Sequence, residues 1–95
     1  MENYIADRLM SLPNIGPLLS KKLRQAGFFS HQQLMEAGAE TCFQKLKALD
    51  ENMSLYTLYA LEGAITGTKR HLLNTERRIQ LKTFFEFLVK GRKAA

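Results

Sequence analysis

Residues 12–34 read LPNIGPLLSKKLRQAGFFSHQQL, and the punctuation of this stretch decides the fold class. Pro13 and Pro17 each lack a backbone donor and restrict the residue before them, so a helix cannot run through Leu12 to Gly16. Pro17 suits the first position of a new helix, where the missing donor costs nothing. Leu19, Leu23 and Ala26 share one face of that helix, and Gly27 is the residue type that best adopts a left-handed C-terminal cap. Phe28 and Phe29 then form an apolar connector to Ser30, a good N-cap. The stretch reads as short helices joined by a hairpin.

The same punctuation extends outward. A short helix over about Tyr4 to Met10 precedes the hairpin, with Ile5 and Leu9 four residues apart. After Ser30 a helix runs to Ala37, Gly38 breaks it, and another covers Ala39 to Leu49 with Cys42, Phe43, Leu46 and Leu49 as its apolar stripe. Ser54 caps a helix from Leu55 to Thr66 that Gly67 closes. Its circumference is mostly apolar, which predicts the central buried helix, and Glu62 within it needs a partner or an edge position. Asn74 or Thr75 caps a last helix to about Lys90, with Leu81, Phe84, Phe85 and Leu88 on one face and Phe87 off it. No segment alternates as a strand does. The expectation is an all-α chain: a compact bundle of about five to six short helices, one domain over residues 1–95, with the hairpin at about 9–37 and a basic tail from Gly91.

Composition limits the function classes. The chain has 95 residues, 45% apolar and 24% charged, which is ordinary globular usage. One cysteine excludes an intrachain disulfide or a multi-cysteine metal site. The longest apolar run is Leu58 to Leu61, far short of a membrane span. A small cytoplasmic domain is expected. The net charge of +5 is uneven, because residues 69–95 carry eight basic residues against Glu76 and Glu86. Such an excess attracts polyanions, nucleic acid first among them, although it also serves solubility alone.

The candidate contact for a polyanion lies in the hairpin. Asn14-Ile15-Gly16 directly precedes a helix start, where amide hydrogens lack intrahelical acceptors and the helix dipole is positive. Gly16 lets a backbone phosphate approach closely, and Lys21 and Lys22 stand one turn on. Arg77, Arg78 and Lys82 form a second candidate contact. Phosphate contacts of this kind predict weak, salt-sensitive, sequence-independent binding of double-stranded DNA.

These residues resemble the helix-hairpin-helix of non-sequence-specific DNA-binding proteins, with Asn14 where that motif usually has its first glycine. Asparagine tolerates the left-handed region better than most residues. Such a hairpin can also be a packing device that touches no nucleic acid. The resemblance extends further: LPNIGPLLSKKLRQAGF, LMEAGAETCFQKLK and MSLYTLYALEGAITG, in this order and spacing, are similar to the C-terminal domain of the TfoX/Sxy family. Members have been linked to regulation of natural competence and DNA uptake in bacteria. Full-length regulators of that family carry an additional N-terminal domain, so this chain looks like a stand-alone C-terminal domain.

Enzyme chemistry finds no support in the pattern. His31 and His71 have no carboxylate four residues away, and zinc requires three or four convergent ligands. Cys42 sits on an apolar stripe as a small hydrophobe. Glu36 and Glu40 are separated by the helix-breaking Gly38. No nucleotide-binding or nucleophile-elbow motif occurs, so no cofactor is expected. The rival reading is a protein-interaction module, a homodimer or an adaptor for a transcription factor. In that case the hairpin is structural and Phe87 marks a self-association surface.

Overall fold

The computed structural model describes residues 8–94, and side chains through Gly91. Residues 8–10 are helical, while the earlier part of the expected first helix lies outside the described residues. Helix α1 spans Pro17–Gln25, α2 His31–Leu49, α3 Leu55–Thr66 and α4 Thr75–Ala94, with a 3-10 turn at Arg70–Leu72 between the last two. No strand occurs among the described residues. The fold is all-helical, as the apolar spacing predicted.

Local chemistry sets most of the boundaries. Gly16, with extended backbone, is the N-cap of α1, and Pro17 opens the helix. The Ser30 hydroxyl accepts from the Gln33 amide at 3.1 Å, while Gln33 Oε1 accepts from the Phe29 amide at 2.6 Å. This reciprocal pair satisfies two donors at the start of α2. The two helices expected on either side of Gly38 are the arms of one kinked element, and Gly38 at φ 83° and ψ 157° makes the kink. Asn74 caps α4, its Oδ1 accepting from the amides of Glu76 at 2.8 Å and Arg77 at 3.3 Å.

Two boundary expectations need correction. Ser54 occupies the N-cap position of α3, but its hydroxyl makes no capping bond. The last helix does not stop at Lys90; it continues through Gly91 to Ala94. Gly91 keeps a helical φ, because a lone glycine costs a helix only about 1 kcal/mol and nothing here demands a left-handed residue.

Helix α3 is the centre of the packing, with Leu58, Ala60, Leu61, Gly63 and Ala64 buried. Leu9, Leu23, Leu34, Phe43, Leu46 and Leu81 surround it at zero exposure. Phe84, Phe85 and Leu88 of α4 lie at the edge of this core, half-buried. Phe85 meets Phe43 at 5.9 Å between ring centroids. Cys42 is fully buried, and burial pushes its thiol up to about 11. The native protein is therefore expected to react with a disulfide reagent about 100-fold more slowly than the urea-unfolded chain. Equal rates, measured by thiol titration, would contradict this packing.

Candidate nucleic-acid interface

Asn14 adopts φ 68°, the left-handed conformation expected of it. Its side chain, however, points into the molecule. The Nδ2 group donates to the Thr68 carbonyl at 2.9 Å and the Ala60 carbonyl at 3.4 Å, and Oδ1 accepts from the Arg70 amide at 3.0 Å. The turn between residues 11 and 16 is thereby pinned to α3 and to the connector that follows it. Gly63 makes the closeness possible: a Cβ there would overlap Thr68 O and Asn14 Nδ2. Of the hairpin triplet, Asn14 is committed to these internal bonds, Ile15 is buried in the core, and Gly16 is exposed with open space around its Cα.

The pin delivers Arg70 to the hairpin. Its guanidinium lies over the Tyr56 ring at 5.8 Å, and Tyr56 meets Tyr59 edge to face at 6.4 Å. Arg78 lies over Tyr59 at 5.4 Å. Both arginines are exposed, and neither pairs with a carboxylate among the described residues. Lys82, also exposed, lines a shallow cleft of about 260 Å³ with Tyr59, Thr75, Arg78 and Ile79. A cation on a tyrosine face keeps its charge and its donors while losing little conformational freedom. The sequence is Arg70, Tyr56, Tyr59, Arg78 and Lys82 across one face.

Two of the expected cations are not free. Lys22 Nζ pairs with Asp50 at 2.8 Å, and this contact holds the Asp50 carboxyl below its usual range. Arg77 donates to Glu40 at 2.7 and 2.9 Å and to Glu62 at 3.0 Å, tying α4 to both α2 and α3. That is the partner Glu62 required, and the hydrogen bond from Arg77 lowers the Glu40 carboxyl's pKa. Their charges are compensated, so Lys22 and Arg77 carry less of any phosphate contact than Arg78 and Lys82. Lys21 remains exposed on α1. Arg70 and Tyr56 were missed; the available signal was a basic connector at residues 69–71 and a tyrosine outside the core stripe.

A larger cleft, about 300 Å³, lies between the start of α1 and the start of α3. Asn14, Leu18, Lys22, Asp50, Tyr56 and Arg70 are among its lining residues. It joins the hairpin to the Arg70 end of the basic face. His31 is exposed, and its Nε2–H donates to the Ile65 carbonyl at 3.0 Å, a helix-to-helix contact. Among the described residues, no group of three His, Cys, Asp or Glu side chains is arranged to hold a metal ion. No helix there is long and apolar enough to cross a membrane.

These features define a small all-helical domain with a basic, tyrosine-lined face beside a pinned turn. The chain belongs to the TfoX C-terminal domain family, whose model matches residues 5–85. It is similar to an uncharacterised protein from Listeria monocytogenes solved in a triclinic crystal form, at 36% identity and a TM-score of 0.83. That match covers 84% of this chain and 91% of the other. A Listeria monocytogenes protein of unknown function in a tetragonal form matches at 36% identity and a TM-score of 0.82, covering 84% and 98%. No curated protein matches the chain.

Proposed function

We propose that this domain is a non-enzymatic module that holds the phosphate backbone of DNA without reading its sequence. Its place is cytoplasmic, in the competence or transcriptional regulation with which the family is linked. The observation that carries the reading is the division of the cations. Lys22 and Arg77 are spent on carboxylates, whereas Arg70 and Arg78, with no carboxylate partner among the described residues, lie on neighbouring tyrosines with Lys82 beyond them. Buried base-reading groups are not needed for this task, because phosphate contacts fix position rather than sequence. Exposed Gly16 at the start of α1 adds a backbone position that a phosphate can approach closely.

Fluorescence anisotropy with a labelled generic duplex tests the reading. Three phosphate contacts predict an affinity loss of about 40-fold between 50 and 200 mM salt. The Arg70→Glu/Arg78→Glu pair is expected to abolish binding with helicity intact. Reversing Lys21 and Lys22 is expected to weaken it less, since Lys22 is already neutralised by Asp50. Absence of duplex binding at 50 mM salt would refute the reading.

A second reading, self-association, is favoured by the outer face of α4. Ile79 and Phe87 are 60% and 75% exposed there, opposite the side that packs on the core. An antiparallel two-fold centred on Thr83 would set Ile79 against Phe87 and Glu76 against Lys90, a self-complementary pattern. Sedimentation at millimolar concentration distinguishes this homodimer, which Phe87→Glu should dissociate, from a monomer.

A further inference from the structure

We infer that the basic face carries a seat for one unpaired nucleotide, formed by Tyr56, Arg70 and the cleft beside them, so that the domain binds single strands more tightly than duplex. The inference rests on the nucleic-acid reading above and narrows its ligand.

Tyr56 is an aromatic that the core does not use. It is 65% exposed, whereas Tyr59 one turn on is only 7% exposed and anchored. Yet Tyr56 is not loose: Arg70 lies over its ring at 5.8 Å, and the Tyr59 ring meets it nearly perpendicular, at 75°. Arg70 is itself fixed through the bond from its amide to Asn14. An exposed ring held by two neighbours is a preorganised stacking platform, and every base offers a π-face to such a ring.

The cleft supplies the rest of a nucleotide's needs. Its walls are Leu18, Leu19 and Met53, with Asn52, Ser54 and Thr57 as polar groups. Apolar walls with a few hydrogen-bonding groups suit a planar heterocycle whose edge carries donors and acceptors. The charged groups facing the cleft from α1 and from the loop after α2, Lys22 and Asp50, form a closed pair at 2.8 Å and add no net charge. Arg70 on the rim, without a carboxylate partner among the described residues, is left for the phosphate of that nucleotide. A duplex cannot use this arrangement, because its bases are already stacked on one another. It would meet only the arginines.

The test is anisotropy at one low salt concentration, comparing labelled oligothymidylate with a duplex of the same length. The single strand is expected to bind about tenfold more tightly. Tyr56→Ala should remove that preference, weakening the single strand about tenfold more than the duplex, Tyr56→Phe should retain it, and Arg70→Glu should weaken both ligands. Circular dichroism checks that each variant is folded. Equal affinities, or a Tyr56→Ala variant that loses duplex and single strand alike, would overturn the inference while leaving backbone binding in place. Binding of neither ligand would overturn both.

Discussion

Gly63→Ala is expected to destabilise the domain by about 3 kcal/mol, at the upper end for an overpacked site. The added methyl would overlap the Thr68 carbonyl and the Asn14 amide. A flexible side chain tip can move aside at little cost, but Thr68 O belongs to a backbone held by its own bond from the Thr68 amide to Gly63 O at 2.8 Å. Relief requires the connector to lift from α3, which breaks the Asn14 bonds as well. In a domain of this size the loss corresponds to a melting temperature lower by more than about 12 °C. Gly91→Ala provides the contrast. Nothing lies near that Cβ and the backbone is helical there, so this variant should gain up to about 1 kcal/mol. Urea unfolding followed by circular dichroism measures both. A Gly63→Ala protein as stable as its parent would mean that Asn14 does not pin the hairpin.

The second large effect is expected at Arg77. Arg77→Ala leaves the Glu40 and Glu62 carboxylates facing a site with no cation, and the Glu62 side chain is only 12% exposed. Stranding a charge in a fully buried pair costs about 3–5 kcal/mol. With side chains here up to 33% exposed, a loss of about 2 kcal/mol at pH 7 is expected after allowing for solvent screening. The pH dependence follows from Glu40. Its carboxyl is held below the ordinary value of 4.5 in the fold, chiefly by the hydrogen bond from Arg77. A depressed folded pKa stabilises fully above the unfolded value and is lost as pH falls through the folded one. The difference between parent and variant should therefore be widest near neutrality and narrow below about pH 4.5. Urea midpoints at pH 7 and pH 3.5 provide the comparison. A gap of the same size at both would assign the loss to packing of the arginine stem instead.

These two positions show where sequence reasoning works and where it stops. Gly63 sits in the middle of a helix and looks like a simple weakening of it. Its role appears only when the Thr68 connector and the hairpin, 49 positions away at Asn14, are brought against it. Arg77 reads equally well as a phosphate contact or a structural tie, and its two carboxylates come from different helices. Asn14 divides in the same way. Its left-handed backbone was legible from residue type, whereas its side-chain partners Ala60, Thr68 and Arg70 were not.

By itself the sequence determined the helical class, the break from Leu12 to Gly16, the interruption at Gly38, the caps at Ser30 and Gly67, the start of the last helix at Asn74 or Thr75, and the burial of α3 and Cys42. Each of these is decided within about one helical turn, by backbone restrictions, capping bonds and apolar periodicity that adjoining residues carry. Tertiary structure alone decided which basic residues are free. A charge is cancelled or left available by whatever neighbours folding brings within a few ångströms, and that distance is unrelated to separation along the chain. Folding places Asp50 beside Lys22 and Glu40 and Glu62 beside Arg77. It leaves Arg70 and Arg78 on a pair of tyrosines instead.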